Sequence, residues 1–273
     1  MRIWLDGALR ETGSARVPAL DHGLIVGDGV FESLKAVDGR PFALTRHLDR
    51  LARSARGLGL PAPDRDEIRA AVDAVLADEP APLHLVRITF TGGIGPLGSH
   101  RAEGAPTLVV AAHPASPARP VSAAVTVPWT RNERGALAGL KTTSYAENVI
   151  ALARAKEHGA TEALFANTGD RLCEGTGSNV FVVLDGELRT PPLDSGCLAG
   201  ITRALVLEWV GATETDLPFD VLERADEVFL TSSMRDVQAI DRLDGRELPG
   251  APGPVTAKAM RVFAERAADD MDP

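Results

Sequence analysis

Cysteine, lysine, tyrosine and long apolar runs are all scarce in this chain of 273 residues. Its two cysteines, Cys173 and Cys197, are too few for a disulfide framework, and their spacing is not that of metal ligands. No apolar run reaches the roughly 18 residues that a membrane-spanning helix needs, and the N-terminus lacks the apolar core of a signal peptide. We therefore expect a globular, cytoplasmic protein that binds no metal.

The charge balance argues against two kinds of partner, nucleic acids and anionic membranes. Twenty-nine basic and 38 acidic residues give a net charge of -9, and no basic block interrupts the sequence. An acidic chain without a basic patch is not expected to bind nucleic acid or an anionic membrane as its main partner. Its length is sufficient for two domains, each with a core of its own.

Lysine is rare where arginine is common, with four lysines among the 29 basic residues. An amine can lose its proton and become a nucleophile, whereas a guanidinium cannot. Lys141 follows a small, apolar segment at 136–140, where desolvation would favour the neutral amine. Lys156 and Lys258 fall in charged helical patterns and are expected to be solvated. Taken alone, Lys141 is equally well interpreted as a surface lysine before a helix.

Tight turns and alternating strands run through both halves of the sequence. Asp-Gly supplies the positive φ angles of a two-residue hairpin turn. The strand at 30–37 places Phe31, Ser33 and Lys35 on one face and Glu32 on the other. Antiparallel sheet is therefore expected in both halves, around turns at Asp6-Gly7, Asp38-Gly39, Asp185-Gly186 and Asp244-Gly245.

Helical patterns follow the strands without a regular βαβ rhythm, which predicts an α+β fold. Helices are expected from residue 45, over 64–77, over 144–158, over 200–210 and over 254–267. Asp64 and Glu67 form a capping box at the second of these. Three prolines at 114–120 predict a linker between an N-terminal domain (1–113) and a C-terminal domain (121–273) that carries Lys141.

Three features are suited to binding a phosphate group. Gly200-Ile201-Thr202 stands at a predicted helix N-terminus, where free N–H groups favour an anion. Thr231-Ser232-Ser233 ends an apolar strand with hydroxyl groups, and Arg50 lies on the first long helix. Each has an ordinary alternative, such as a plain helix cap or a solvated arginine.

Taken with Lys141 and Glu174, these motifs resemble the fold-type IV pyridoxal-phosphate enzymes. That group includes branched-chain and D-amino-acid aminotransferases, (R)-selective amine transaminases and aminodeoxychorismate lyases. The resemblance covers nearly the whole chain. Its markers, in the order of the family, are Gly27-Asp28-Gly29-Val30-Phe31-Glu32, His47-Leu48-Asp49-Arg50-Leu51, Gly139-Leu140-Lys141, Glu174-Gly175-Thr176-Gly177-Ser178-Asn179-Val180-Phe181, Gly200-Ile201-Thr202-Arg203 and Thr231-Ser232-Ser233.

The resemblance implies a role for each matching residue. Lys141 corresponds to the lysine that forms the Schiff base with pyridoxal 5'-phosphate, and Glu174 to the carboxylate that keeps the pyridine nitrogen protonated. Tyr145, the only tyrosine, corresponds to a residue that hydrogen-bonds the phenolic oxygen of the cofactor, although a packing role is the alternative. The remaining cofactor-binding residues implied are Arg50, Ser178, Asn179, Gly200, Ile201, Thr202, Ser232 and Ser233. The family fold has two α+β domains with the cofactor in the cleft between them, usually in a homodimer.

The resemblance predicts an aminotransferase that moves an amino group from a small amino acid or amine to a 2-keto acid. Aminodeoxychorismate lyase, which yields 4-aminobenzoate and pyruvate, is the alternative. The loop at 91–98 lacks the arginine typical of the lyases, and Tyr145 favours a transaminase. Phe31, Lys35 and Thr91 are the substrate-site candidates, while the register of His100 and Arg101 stays open. More remote alternatives are a non-catalytic protein that holds the cofactor and an α+β scaffold without one.

Overall fold

A computed structural model describes residues 1–102, 104–248 and 250–273 and divides the chain into two compact units. The first unit comprises Met1–Pro117, Leu140–Tyr145 and Met271–Pro273, and the second comprises Ala118–Gly139 and Ala146–Asp270. The first break lies inside the segment expected to be a linker. The sequence analysis had assigned Lys141 to the C-terminal domain, whereas the structure groups it with the first unit.

The first unit is a six-stranded antiparallel sheet with the strand order β2-β1-β6-β5-β3-β4. Its core consists of apolar side chains of the sheet and two helices, among them Leu34, Ile88, Leu48 and Ile68. The elements are β1 (Arg2–Leu5), β2 (Ala8–Glu11), α1 (His22–Ile25), β3 (Gly29–Val37), β4 (Arg40–Pro41), α2 (Leu44–Leu58), α3 (Arg65–Asp78), β5 (Leu83–Thr91) and β6 (Thr107–Pro114).

The segment that carries Lys141 is bound to β3 by main-chain hydrogen bonds. Phe31 N donates to Lys141 O at 3.0 Å, and Thr143 N donates to Gly29 O at 2.8 Å. Val30 and Thr142 form an antiparallel bridge between these bonds. These bonds extend the first sheet along β3, which explains why the lysine belongs to this unit.

The C-terminal residues cap α2. Its N-cap residue, Ala43, has left-handed backbone angles and offers no side-chain acceptor. Asp272 supplies one instead, because its carboxylate accepts hydrogen bonds from the N–H and the hydroxyl of Thr45 at 2.8 and 2.6 Å. Ala43 N also donates to Met271 O at 2.7 Å. The end of the chain therefore completes the N-terminus of an early helix.

The second unit contains a nine-stranded mixed sheet with the order β12-β11-β10-β13-β14-β7-β8-β9, and β15 pairs with β14. Strand β7 is parallel to β14 and to β8, a detail that the sequence pattern did not predict. The elements are β7 (Val121–Arg131), α4 (Ala146–Glu157), β8 (Glu162–Asn167), β9 (Leu172–Gly175), β10 (Asn179–Leu184), β11 (Glu187–Thr190), α5 (Ile201–Val210), β12 (Thr213–Glu214), α6 (Val221–Arg224), β13 (Glu227–Ser232), β14 (Asp236–Leu243), β15 (Arg246–Glu247) and α7 (Pro254–Asp269), with a short 3-10 turn at Leu193–Ser195.

The predicted α+β class is confirmed, and the local signals explain much of it. The four Asp-Gly pairs that were predicted as turns all join antiparallel strands, and both residues of each of these pairs have positive φ. Asp64 caps α3 by accepting hydrogen bonds from the N–H groups of Asp66 and Glu67. Among the residues that the structure describes, no helix combines the length and the apolar character needed to cross a bilayer.

Candidate active site

Lys141 lies against two aromatic rings of the first unit. Its Nζ is 4.4 Å from the ring centroid of Phe31 and 5.9 Å from that of Tyr145. The two rings meet edge to face with their centroids 5.1 Å apart, and Phe31 is buried. The backbone N–H of Lys141 donates to Ser54 Oγ at 3.2 Å. Three residues that the sequence analysis selected separately, Phe31, Lys141 and Tyr145, therefore come together.

Arg87, which the sequence analysis did not select, contacts the same cluster. It pairs with Ser33 across β3 and β5, and its Nη1 donates to the hydroxyl of Ser33 at 3.2 Å. Its Cζ lies 3.3 Å from the ring centroid of Phe31, so the guanidinium stacks on the ring that Lys141 also contacts. One signal in the sequence could have indicated Arg87, because it is a charged residue within an otherwise apolar strand. Alternation places it on one face of β5, and the pairing with β3 puts that face next to Phe31 and Ser33.

Arg50 belongs to a buried network on the inner side of β3. Its Nε and Nη2 donate to the two carboxylate oxygens of Glu32 at 2.8 and 2.6 Å, the bidentate geometry that guanidinium favours. His47 Nδ1 lies 2.7 Å from Glu32 Oε2. All three residues are at most 5% exposed. Glu32, whose role the sequence left open, therefore holds both helix residues against β3.

The network fixes the charge of its members. Burial alone would raise the pKa of Glu32, but Arg50 and His47 outweigh it and lower the pKa to about 2. Burial lowers the pKa of His47 despite its hydrogen bond to Glu32. A neutral His47 that donates from Nδ1 to an ionised Glu32 satisfies both groups. Arg50 thus has its counter-charge inside the protein.

The other candidates of the first unit lie in different surroundings. Lys35 Nζ is 4.9 Å from the ring of Phe42, and the hydroxyl of the buried Thr91 donates to Asp21 at 3.0 Å. Arg101 donates from Nε to Asp28 at 2.6 Å and also to the carbonyls of two residues at the end of α2. His100 is exposed. The structure gives Thr91 and Arg101 contacts that stabilise loops.

Glu174 lies on β9 in the second unit and is 15% exposed. Its Oε2 accepts a hydrogen bond from the backbone N–H of Leu198 at 2.9 Å. Its Oε1 lies 3.3 Å from Arg131 Nε, a second residue that the sequence analysis did not select. The carboxylate is therefore held by a main-chain donor and a neighbouring positive charge.

The N-terminus of α5 meets the ends of two strands. Gly200 is the N-cap and makes no side-chain capping bond, and Ile201 and Thr202 begin the helix, where N–H groups lack an intrahelical acceptor. Asn179 packs closely on Gly200, since a Cβ there would lie 1.9 Å from Asn179 Oδ1. Asn179 also pairs with Thr231 on β13, directly before Ser232 and Ser233. The structure thus brings this predicted set together within one unit.

Two of the predicted cofactor residues stabilise the loops around this set. The hydroxyl of Ser178 donates to the buried carboxylate of Glu162 at 2.8 Å, and Glu162 also accepts from Thr176 N at 2.9 Å. Asn179 Nδ2 donates to the carbonyl of Leu198 at 2.8 Å. These bonds fix the segment after Glu174 and the segment before α5.

The cysteines are buried near the same segments. Cys173 Sγ contacts Ser195 O, and Cys197 Sγ contacts Pro192 O. Burial raises the pKa of Cys173 far above its usual range and raises that of Cys197 to about 11. Both thiols are therefore protonated at neutral pH and act as packing residues. Among the described residues, no group of His, Cys, Asp and Glu side chains is arranged to hold a metal ion.

The family model for class IV amino-transferases matches residues 29–243, which include every site residue described above. The chain belongs to the class IV aminotransferases. It is 33% identical to a putative branched-chain-amino-acid aminotransferase of Methanocaldococcus jannaschii, over 97% of this chain and 96% of that protein. It is 32% identical to a bifunctional aminodeoxychorismate lyase / D-amino acid transaminase of Mycobacterium tuberculosis, with the same coverage.

Solved structures support the same assignment. A hypothetical aminotransferase from Mycobacterium tuberculosis in its PLP-bound form matches with a TM-score of 0.84 and 28% identity, over 97% of this chain and 100% of that chain. Class IV aminotransferases use pyridoxal phosphate, which is therefore the cofactor of this enzyme.

The residues present fit this cofactor in each unit separately. The first unit provides a lysine amine beside two aromatic rings. The second provides a helix N-terminus without a side-chain cap and an ordered carboxylate. A helix N-terminus favours a phosphate group, and a carboxylate favours a protonated ring nitrogen.

Replacing Glu32 with glutamine tests the buried network. We expect Glu32→Gln to lower the free energy of unfolding at pH 7 by about 3–5 kcal/mol, since it leaves Arg50 buried without a counter-charge. The folded-state pKa is lowered from 4.5 to about 2, so this contribution is complete above pH 4.5 and is lost as the pH falls toward 2. Urea unfolding at several pH values measures both effects, and the variant should lose less stability across this range.

Asp49→Asn is the matched control. Asp49 lies on α2, the helix that carries Arg50, and pairs with Arg65 of α3. Both side chains are exposed, and an exposed ion pair contributes about 0.2–1 kcal/mol. The buried network would be unimportant if the two variants lost the same free energy of unfolding at pH 7. It would also be unimportant if the stability of Glu32→Gln fell between pH 4.5 and pH 2 as steeply as that of wild type.

Proposed function

We propose that this enzyme transfers an amino group from a small amino acid or amine to a 2-keto acid, with Lys141 as the catalytic lysine. The observation that carries the proposal is the placement of Lys141 Nζ, 4.4 Å from the ring of Phe31, with the guanidinium of Arg87 on the same ring. A nearby positive charge and an apolar surface both favour the neutral form of an amine. A neutral amine can act as a nucleophile and accept a proton.

When bound, pyridoxal phosphate supplies an electron sink for the charge that develops at the substrate Cα. Lys141 is the residue that would hold the cofactor covalently through Nζ, and the same amine would accept and carry the proton from the substrate Cα. Tyr145 contacts Phe31 edge to face, which orients its ring beside the lysine.

The remaining cofactor residues are assigned from their chemistry and from the family resemblance. Glu174 holds the proton on the pyridine nitrogen through its ordered carboxylate. The N–H groups of Ile201 and Thr202, with the hydroxyls of Ser232 and Ser233, bind phosphate in the second unit. The family resemblance also assigns Arg50 to this cofactor, and Glu32 sets the orientation of the Arg50 guanidinium within the first unit.

Arg87 is assigned to the carboxylate of the substrate. It is the arginine that contacts the Phe31 ring beside Lys141, and its fork of N–H donors matches a carboxylate. Arg101 is the nearest arginine to the glycine-rich loop in sequence, but its guanidinium is bound to Asp28. The carboxylate site of this chain is therefore expected on β5 rather than in that loop.

Aminodeoxychorismate lyase is the second candidate, because one relative at 32% identity is named for both lyase and D-amino acid transaminase activity. Both reactions begin with removal of the same proton by the lysine. They differ in their outcome, because a transaminase passes the amino group to a 2-keto acid, whereas the lyase releases pyruvate. The absence of an arginine at 91–98 favours the transaminase. Cytoplasmic location, which the composition predicts, and homodimer assembly, which the family resemblance implies, are further parts of this proposal.

A single-turnover absorbance experiment distinguishes the two reactions. The cofactor-loaded enzyme is mixed separately with D- and L-amino acids, a chiral aromatic amine, and aminodeoxychorismate. We expect an amino acid or amine to bleach the visible band of the lysine-bound cofactor and a 2-keto acid to restore it. If only aminodeoxychorismate reacts, with release of pyruvate and spontaneous return of the band, the enzyme is the lyase.

Lys141→Ala tests the catalytic lysine. We expect this variant to lose the visible band of the lysine-bound cofactor and at least about a thousandfold in turnover, because nucleophile and proton carrier are removed together. Lys156→Ala, which changes an exposed lysine of α4, is the control and should behave as wild type. Wild-type turnover by Lys141→Ala would rule out the assignment.

Arg87→Gln tests the carboxylate site. We expect the KM for the best amino acid to rise about ten- to a hundredfold, because a charge-assisted bidentate contact is lost. The KM for an amine without a carboxylate should change less than about threefold. Arg53→Gln, in which an exposed arginine of α2 is replaced, is the control. A similar change in KM for both substrates would show that Arg87 supports the fold and does not bind the carboxylate.

A further inference from the structure

Arg131 occupies an unusual position next to Glu174. It is the last residue of β7, and its guanidinium lies over the ring of Phe165, with Cζ 4.0 Å from the centroid. Nη1 donates to Glu147 at 2.5 Å, and Nε lies 3.3 Å from Glu174 Oε1. One cation therefore contacts an aromatic ring and two carboxylates.

The strand register explains this arrangement. Strands β7, β8 and β9 are neighbours in the sheet, with Arg131 opposite Asn167 and Phe165 opposite Glu174. Phe165 is completely buried, which gives the guanidinium a rigid apolar surface. Arg131 and Glu174 are each only 15% exposed. Charges in such a place are screened less by water than they are on the surface.

The contact with Glu174 is one of charge rather than of a directed hydrogen bond. Among the described residues, Arg131 Nε is one of the buried polar atoms that lack a hydrogen-bond partner, although Glu174 Oε1 is 3.3 Å away. The directed bond to Glu174 comes from Leu198 N, on the other oxygen. The two contacts hold both oxygens of Glu174 in place.

This positive charge matters for a carboxylate that must keep a ring nitrogen protonated. A partly buried carboxylate tends to take up a proton, and a protonated carboxyl group cannot stabilise a pyridinium ion. A cation at 3.3 Å opposes that tendency. It also keeps Oε1 at a fixed position, so the carboxylate would need little rearrangement when the cofactor binds.

We propose that Arg131 is a positioning residue that keeps Glu174 ionised and fixed in place for the pyridine nitrogen of the cofactor. Arg131 acts through Glu174 and makes no contact with the cofactor itself in this proposal. The inference rests on the role proposed above for Glu174, and the experiment separates the two.

A double-mutant cycle measures the coupling. The dissociation constant of pyridoxal phosphate is measured by absorbance titration for wild type, Arg131→Gln, Glu174→Gln and the double variant. The titrations are repeated with a cofactor analogue that has carbon in place of the ring nitrogen. We expect Arg131→Gln to weaken binding of the natural cofactor about five- to tenfold in the wild-type background. The effect should be less than about twofold in the Glu174→Gln background and with the analogue.

Two further variants serve as controls. Glu147→Gln removes the other carboxylate that contacts Arg131 and should leave cofactor binding within about twofold of wild type. Arg131→Lys keeps the charge and should restore affinity to within about threefold of wild type. If Arg131→Gln does not fold, Arg131→Met replaces it as the neutral test variant in the same measurement, and Arg131→Lys stays the control that keeps the charge.

Each possible result decides between the proposals. If Arg131→Gln weakens both cofactors equally in both backgrounds, Arg131 supports the fold, and the inference is wrong. If Glu174→Gln weakens only the natural cofactor while Arg131→Gln behaves as wild type, the inference alone fails. If Glu174→Gln binds both cofactors as wild type does, the proposed role of Glu174 fails and this inference fails with it.

Discussion

The main-chain pairing of residues 141–143 with β3 is the interaction on which the first part of the site depends. Two hydrogen bonds fix the backbone on either side of Thr142 and so determine where the side chain of Lys141 begins. Because Phe31 donates one of these bonds, the ring that contacts the lysine amine is held by the same pairing. Pairing with a sheet strand therefore fixes the position of a loop residue closely, as a catalytic residue requires.

The two faces of β3 perform different tasks. One face presents Phe31 and Ser33 toward Lys141 and Arg87, while the other buries Glu32 with His47 and Arg50. The period of two in a strand makes this division possible. The buried network of Glu32 with His47 and Arg50 anchors α2 to the sheet. The opposite face of β3 carries the residues that contact Lys141 and Arg87. A register error of one residue would exchange the two sets and destroy both.

The sequence predicted the parts of this protein whose signals are local. Asp-Gly turns, the cap at Asp64 and the helix beginning at Ile201 each depend on a few neighbouring residues, and each lies where it was expected. Lys141 and Glu174 were selected from motifs. Arg87 and Arg131 were not, because their significance comes from cross-strand neighbours far away in sequence. The parallel pairing of β7 and the grouping of Lys141 with the first unit are long-range properties of the same kind.

The division of the chain also constrains the order in which it can fold during synthesis. The first unit is built from residues 1–117 but lacks two pieces that are made much later, the 140–145 segment beside β3 and the C-terminal residues that cap α2. A ribosome that has released the first hundred residues has therefore supplied a sheet with an open edge and a helix without its cap. Closing contacts between residues so distant in sequence is slow. The earliest-made unit is thus the last to be completed, and its open edge needs protection from other chains until then.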